Sequence, residues 1–257
     1  MKEKITDPNL AGVQQPGRAK REIAHGEFLA AEGAEYLWGW GTPAGMVRYR
    51  RRAQLIADAA GLNHTGRVLE IGCGTGLFTD IFAKYAMKVT AVDISPDLIE
   101  MAANRALPAE KVEFICAGFE QIPGKDAFDA VVGSSVLHHL EVAESLERIN
   151  RLLKPGGRLV FAEPNMLNPQ IFAERKLLRS RLKQVSPDET AFVRWDLAKL
   201  LAKKGFVNIH IHPFDWLHPA VPGELIAPVS ALGRIFEKVP LLKEFSGSLL
   251  IRAHKPL

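Results

Sequence analysis

A chain of 257 residues with 47% hydrophobic and 24% charged residues can bury a substantial core, so we expect one large domain with or without extensions. Two cysteines exclude a disulfide-rich scaffold, and a net charge of +4 does not by itself indicate nucleic-acid binding. No apolar run reaches the ~18 residues of a membrane span, and the N-terminal residues lack the apolar segment of a signal peptide. We therefore expect a cytoplasmic location, with Cys73 and Cys116 as buried free thiols.

The first residues are expected to form an arm and a lid. Residues 1–25 are polar and include a basic run, which favours a flexible N-terminal arm. Residues 26–61 form an extension in which Tyr36, Trp38 and Trp40 stand among glycines. These aromatic side chains either pack on the main domain or cover a substrate, and they are candidate substrate contacts. A helix is predicted over 46–60, and its arginines are expected to form a solvated face or, alternatively, to bind an acidic substrate.

From Arg67 onward, short apolar runs alternate with helical patterns. Strands are predicted at 67–71, 88–92, 111–116, 128–133 and 158–163, and helices at 77–86, 95–105 and 142–153. Repeated β–α units predict an α/β fold with a mostly parallel sheet and helices on both faces. The main domain is assigned to residues 62–257.

A glycine-rich loop follows the first predicted strand and precedes a helix. It has the sequence Gly72-Cys73-Gly74-Thr75-Gly76. In an α/β sheet such a loop lies at a ligand crevice, where glycine lets the backbone approach the ligand closely. The next strand ends in Asp93, at a spacing typical of a carboxylate that holds ribose hydroxyls. The pattern therefore predicts a site for a ligand that contains a nucleoside.

Beyond Glu163 the alternation becomes irregular. Helices are predicted at 170–183, 195–204 and 223–238, and strands at 206–212 and 247–253. Residues 170–195 and 217–245 are expected to be insertions on the substrate side of the domain.

Four segments together resemble the class I S-adenosylmethionine (SAM)-dependent methyltransferases of the small-molecule group. They are VLEIGCGTG (68–76), AVDIS (91–95), FDAVVGSSVLHHL (128–140) and LLKPGGRLVFAE (152–163). The resemblance implies a Rossmann-like sheet of seven strands in the order 3-2-1-4-5-7-6, with the last strand antiparallel. It also implies a methyltransferase with SAM as cofactor and S-adenosylhomocysteine as product.

The resemblance also implies where the cofactor binds. The glycine loop would hold the methionine part, Asp93 both ribose hydroxyls, and Phe119 an edge of the adenine. The implied cofactor-binding set is Glu70, Ile71, Gly72, Cys73, Gly74, Gly76, Asp93, Ile94, Gly118, Phe119, Glu120, Gly133 and Ser134. Many relatives carry Asp where Gly118 stands, so either Glu120 replaces that contact with the adenine amino group or the contact is lost.

Methyl transfer from a sulfonium requires an aligned nucleophile, and it requires a general base only if that nucleophile must lose a proton. The candidate catalytic residues are His138, His139 and Glu163, and Asn165 and Asn168 are further candidate substrate contacts. The motifs of DNA-base methyltransferases are absent, so a nucleic-acid partner is not expected. Cys, His and acidic residues show no metal-ligand spacing, so no metal is expected. The expected acceptor is a small, partly apolar molecule methylated on O, N or C, and the oligomeric state stays open.

Two other functions remain open at this level. A NAD-dependent oxidoreductase would share the strand, the glycine loop and the acidic strand end, although its GxGxxG fingerprint differs from the GxGxG found here. A domain that binds SAM without catalysis would share every motif.

Overall fold

The computed structural model describes residues 16–177 and 191–257, and its centre is a single seven-stranded sheet. The strand order is β3-β2-β1-β4-β5-β7-β6. Strands β1 to β5 pair in parallel, whereas β7 runs antiparallel to both β5 and β6. The strands are β1 Arg67–Ile71, β2 Lys88–Asp93, β3 Val112–Cys116, β4 Phe128–Ser134, β5 Leu153–Pro164, β6 Val207–Phe214 and β7 Ser248–His254. The predicted fold class and strand order are confirmed.

Helices precede the sheet and connect its strands. They are α1 Pro16–Glu32, α2 Ala34–Leu37, α3 Pro43–Ala60, α4 Leu77–Tyr85, α5 Pro96–Ala103, α6 Val142–Leu152, α7 Pro169–Phe172, α8 Arg194–Lys203 and α9 Ile226–Phe236. Ser95 caps α5 by accepting from the Leu98 N–H, as its position before Pro96 predicts. Within the described ranges, no helix has the length and apolar character needed to cross a bilayer.

The two faces of the sheet are buried by two separate hydrophobic clusters. Successive residues of a strand point to opposite faces. Leu69 and Phe161 accordingly join one cluster, and their neighbours Val68 and Val160 join the other. Burial on both faces explains why the strands appear in the sequence as continuous apolar runs.

The predicted flexible arm is wrong over the part that the structure describes. Residues 16–25 belong to α1, which packs along α5. The close approach depends on Gly26, because a β-carbon there would stand 2.4 Å from Ser95 Oγ. Residues 1–15 lie outside the described residues, and so do residues 178–183 of the predicted helix 170–183. Of that helix, the structure describes α7 and one π-helical turn over Ala173–Leu177.

The predicted solvated arginine face of α3 holds for Arg50, which is exposed, but it is wrong for Arg48 and Arg52. Arg52 is only 3% exposed, and it donates to Ser135 Oγ at 3.1 Å. Arg48 donates to both carboxylate oxygens of Asp215, at 3.1 and 2.9 Å to Oδ2 and 3.3 Å to Oδ1. Burial lowers the pKa of Arg52 to about 10, against the favourable charge of Asp215. These arginines therefore join α3 to the segment after β6 and are not available to an acidic substrate.

The two cysteines have different environments. Cys73 is buried as predicted, but Cys116 is exposed. Cys116 is the last residue of β3, which is the edge strand of the sheet, so only one neighbouring strand covers it.

Candidate active site

A cavity of about 350 Å³ lies at the carboxyl ends of β1, β2 and β4. Its wall comes from the glycine loop, the end of β2, the loops after β3 and β4, and the helices α1 and α2. Among the predicted site residues, those lining the cavity are Trp38, Trp40, Ile71, Gly72, Cys73, Gly74, Asp93, Ile94, Gly118, Phe119, Ser134, His138 and His139. The carboxyl edge of a parallel sheet is where α/β proteins bind their ligands.

The glycine loop needs glycine for both conformation and space. Gly72, Gly74 and Gly76 have φ of +67°, +52° and +76°, in the left-handed region that favours glycine. A β-carbon on Gly72 would stand 2.4 Å from Val136 Cγ2 in the loop after β4. A β-carbon on Gly74 would stand 3.0 Å from Trp38 Cη2. The loop therefore presents bare backbone to the cavity.

Asp93 joins the glycine loop to the end of β2. Its Oδ2 accepts from the Gly74 N–H at 2.9 Å, and its Oδ1 accepts from the Ser95 N–H at 3.0 Å. Burial raises the pKa of Asp93, and these two backbone hydrogen bonds offset part of that effect. Each carboxylate oxygen has capacity for two hydrogen bonds, so one position on each oxygen remains for a ligand.

Glu70 lies behind the loop and is not part of the cavity wall. Its buried carboxyl accepts from Thr79 Oγ1 at 2.6 Å. Burial raises the pKa of Glu70 to about 8, although the Thr79 hydrogen bond acts in the opposite direction. Glu70 is therefore protonated at neutral pH, and it links β1 to α4.

His138 and Glu163 form a buried pair beside the cavity. His138 Nδ1 lies 2.6 Å from Glu163 Oε2, and Glu163 Oε1 accepts from the N–H groups of Val136 and Leu137 at 3.0 and 2.9 Å. Burial alone would raise the pKa of Glu163, but the charge and hydrogen bond of His138 and the two backbone donors lower it. The ionised carboxylate accepts a hydrogen bond from Nδ1–H of His138. This assigns the ring proton to Nδ1 and leaves Nε2 as the nitrogen that can accept a proton.

The N-terminal helices cover one side of the cavity. Glu35 accepts from Thr75 Oγ1 at 2.8 Å and pairs with Arg105. Glu22 of α1 lies 3.1 Å from His139 Nδ1. Polar contacts therefore connect α1 and the α2 segment to the glycine loop and to the loop after β4.

Comparison with known proteins agrees with this geometry. Residues 69–161 match the family model described as "Methyltransferase domain". Nodulation protein S of Rhizobium tropici is 27% identical over 135 residues, or 51% of this chain and 57% of that protein. Ubiquinone biosynthesis O-methyltransferase of Xanthomonas oryzae pv. oryzae is 34% identical over 111 residues, or 42% of this chain and 46% of that protein. The chain spans about half the length of these curated relatives.

A solved structure extends the likeness beyond the matched segment. The N-methyltransferase NodS from Bradyrhizobium japonicum, in complex with S-adenosylhomocysteine, superposes with a TM-score of 0.63 at 18% identity. The superposition covers 92% of this chain and 100% of that chain, so it shows the same fold. The chain therefore matches a methyltransferase family over residues 69–161 and shares the fold of solved SAM-dependent methyltransferases. The family resemblance found in the sequence is confirmed, and the oxidoreductase alternative is not supported.

The chain departs from the family pattern in the loop after β3. Gly118 and Phe119 line the cavity, but Glu120 does not. A β-carbon built on Gly118 would stand 2.7 Å from Glu120 Oε2. The Glu120 carboxylate therefore occupies the space that a side chain at position 118 would enter.

Several predicted site residues lie away from the cavity wall. Tyr36 is 71% exposed and points elsewhere. The Asn165 amide donates to the carbonyls of Glu244 and Ser246, both at 2.8 Å, and Asn168 caps α7. The others outside the lining are Glu70, Gly76, Glu120, Gly133 and Glu163, of which Glu163 acts through His138.

Sequence reasoning missed the contribution of α1. Glu22, Gly26 and Leu29 all line the cavity. Their spacing of four and three residues is that of one helical face, and this periodicity is the signal that could have identified them. The missed lining residues with ionisable side chains are Glu22, His25, Glu174 and Arg175.

Proposed function

We propose that this protein transfers a methyl group from SAM to an O, N or C nucleophile of a small, partly apolar molecule. The observation that carries the proposal is that two groups of residues border the same cavity. Asp93 and the left-handed glycines form one wall, and the His138–Glu163 pair stands at another. The first group has the features of a nucleoside-binding site, and the second can transfer a proton.

The cavity wall fits SAM in its chemistry. Asp93 keeps one acceptor position on each oxygen, which suits two adjacent ribose hydroxyls. The bare backbone of Gly72 and Gly74 allows close approach of the amino-acid part. A volume of about 350 Å³ falls within the ~300–1,000 Å³ of small-molecule and cofactor sites.

Glu120 is proposed to take the place of the missing Asp at position 118. Its Oε2 lies 2.7 Å from the place that a β-carbon on Gly118 would take, next to the cavity wall, and we expect it to accept there from an exocyclic amino group of a purine. A neighbouring carboxylate would then supply the contact that most relatives obtain from position 118.

When bound, SAM supplies a methyl group on a positively charged sulfur, so the chain mainly has to orient the acceptor and exclude water. Trp38 and Trp40 contribute to water exclusion, because both line the cavity on the side that the N-terminal helices cover. Glu163 holds the Nδ1 proton of His138 and favours the positive charge that develops when Nε2 takes a proton from the acceptor. His139, adjacent in the wall, is the second candidate base.

The acceptor atom is proposed only as a class. By their names, the relatives include both an N-methyltransferase and an O-methyltransferase. The apolar lining from Leu29, Leu37 and Leu140 supports a partly apolar acceptor. Glu22 and Glu174 add carboxylates that could hold an amino group.

Formation of S-adenosylhomocysteine, measured by mass spectrometry with panels of amines, phenols and activated carbon acids, tests the proposal. We expect turnover with at least one class, and a pH-dependent loss of kcat in His138→Gln if the acceptor must lose a proton. Tight SAM binding without turnover on any panel member would contradict the catalytic proposal and would support a non-catalytic SAM-binding domain.

A further inference from the structure

Helix α9 is apolar around most of its circumference although it lies on the surface. Its sequence over Ile226–Phe236 is IAPVSALGRIF. Its inner side packs on Trp216: a β-carbon on Gly233 would stand 2.9 Å from Trp216 Cβ, and the Phe236 ring lies 5.3 Å from the Trp216 ring. The opposite side is also apolar, with Leu232 48% and Ile235 58% exposed. A helix with apolar residues on both sides normally has a second partner.

The apolar surface continues along the chain on both sides of α9. Leu225 precedes the helix, and Val239, Leu241 and Leu242 follow it. All four are exposed, and Leu241 is 80% exposed. We define the α9 face as Leu225, Leu232, Ile235, Val239, Leu241 and Leu242. A continuous exposed group of large aliphatic residues on a globular protein marks an interaction surface.

The charges beside the α9 face are mostly positive. Arg234 and Lys238 are exposed and form no ion pair with any residue in the described ranges. Of the nearby acids, Glu237 is buried against Arg51 and Glu244 pairs with Arg194, whereas Glu224 beside Leu225 is exposed. Arg234 and Lys238 also border a shallow notch with Ile235. His212 lines this notch too, but burial lowers the pKa of His212, so it adds no charge at neutral pH.

We propose that the α9 face docks on the surface of a bilayer that contains anionic lipids. Aliphatic side chains flanked by unpaired basic residues are the features of an interfacial helix, which lies in the headgroup plane. Such basic residues bind anionic phosphates at the membrane surface. Protein interfaces instead favour Trp, Tyr and Arg at their centre, and the α9 face contains neither Trp nor Tyr.

The location of the α9 face relates it to the cavity. The segment before α9 contacts the N-terminal extension: Thr42 donates to the Pro219 carbonyl at 2.8 Å, and a β-carbon on Gly39 would stand 2.8 Å from Pro219. Trp38 and Trp40 flank Gly39 and line the cavity. Docking would therefore bring the membrane surface next to the covered side of the cavity. The proposal itself does not depend on methyl transfer.

Co-sedimentation of the full chain with vesicles, without SAM or acceptor, tests the docking. The two vesicle types are phosphatidylcholine alone and phosphatidylcholine with 30% phosphatidylglycerol. We expect binding to the second type that weakens as salt is raised. The double variant Arg234→Gln/Lys238→Gln should lose about thirty-fold in affinity, from ~1 kcal/mol for each basic residue. The double variant Leu232→Ser/Ile235→Ser should lose about tenfold or more in affinity for the vesicles that contain phosphatidylglycerol.

Met87→Ser is the matched control, because Met87 is also an exposed large apolar residue but lies between α4 and β2. It should leave vesicle binding unchanged, and thermal melting checks that all variants fold. Equal binding of the wild type and Leu232→Ser/Ile235→Ser would overturn the proposal. Failure of the wild type to bind the vesicles that contain phosphatidylglycerol would also overturn it. A dimer in light scattering that this double variant dissociates would also overturn it, by assigning the α9 face to a second copy of the chain.

Discussion

The backbone N–H of Gly74 donates to Asp93 Oδ2 at 2.9 Å, so the glycine loop and the acidic end of β2 form one unit. Asp93 reaches this position because β1 and β2 are neighbouring parallel strands whose ends meet at the same edge. One carboxylate therefore fixes the loop and still offers acceptor positions to a ligand. The proposed donor site depends on this relationship.

Substitution of Asp93 tests the ribose contact. Asp93→Asn removes the charge but keeps the size, and we expect SAM affinity to fall by about ten- to a hundredfold, as for the loss of a hydrogen bond to a charged group. Asp97→Asn, which changes an exposed acid in the first turn of α5, should bind SAM as the wild type does. Calorimetric titration measures both, and equal affinities of the two variants would contradict the assignment.

The aromatic residues of the N-terminal extension provide a second, internally controlled test. Trp38→Ala should weaken SAM binding and expose the glycine loop, because Trp38 covers Gly74. Tyr36→Ala, two residues away, should have little effect because Tyr36 is exposed and lies outside the cavity wall. Hydrogen exchange of residues 26–45 should slow when SAM is added. Unchanged exchange would count against a cover over the cofactor.

The departure at position 118 can be tested by moving the carboxylate. Glu120→Ala should lower SAM affinity by about tenfold, the value of one charged hydrogen bond. The double variant Gly118→Asp/Glu120→Ala should recover much of it, because Gly118 has φ −64°, which any residue adopts. Failure of the double variant to exceed Glu120→Ala would show that adenine recognition does not use this carboxylate.

The buried Glu70 predicts a specific pH dependence of stability. Its pKa is raised to about 8 in the folded protein, whereas the ordinary value is 4.5. The contribution of Glu70 to the free energy of unfolding is therefore complete below pH 4.5. It is lost as the pH rises towards 8, because Glu70 ionises first in the unfolded state. In this window the free energy of unfolding falls by up to ~1.4 kcal/mol per pH unit.

Denaturant unfolding of Glu70→Gln checks this effect. Gln stays neutral and can still accept from Thr79, so the variant should gain stability relative to the wild type between pH 5 and pH 8. Glu100→Gln, an exposed acid on α5, should follow the wild type. Parallel pH profiles for the wild type and Glu70→Gln would mean that Glu70 is already ionised in the folded protein.

The sequence predicted the parts of the fold that depend on local pattern. The bounds of β1, α4 and β2 were predicted to within one residue, because apolar runs and glycines mark them directly. The cavity position followed from the same pattern, since Gly72, Gly74 and Asp93 meet at one sheet edge. These features depend on residues close together in the sequence.

Features that depend on distant partners could not be predicted. Arg52 is buried, and Ser248 and Asp215, far along the chain, accept hydrogen bonds from its Nη2. From the sequence alone, its position in a run of arginines predicts a solvent-exposed side chain instead. The role of α1 was missed for a similar reason, since its polar sequence hides the face that Gly26 and Leu29 present to the cavity. Asn165 follows the strand that ends at the cavity, yet its amide is held by carbonyls near β7.

The central claim is that the cavity beside Gly74 and Asp93 is a SAM site. Isothermal titration calorimetry of the full chain with SAM, S-adenosylhomocysteine and NAD tests it most directly. We expect one molecule of SAM or S-adenosylhomocysteine to bind per chain, with affinity reduced in Asp93→Asn, and no binding of NAD. Binding of NAD without binding of SAM would contradict the account.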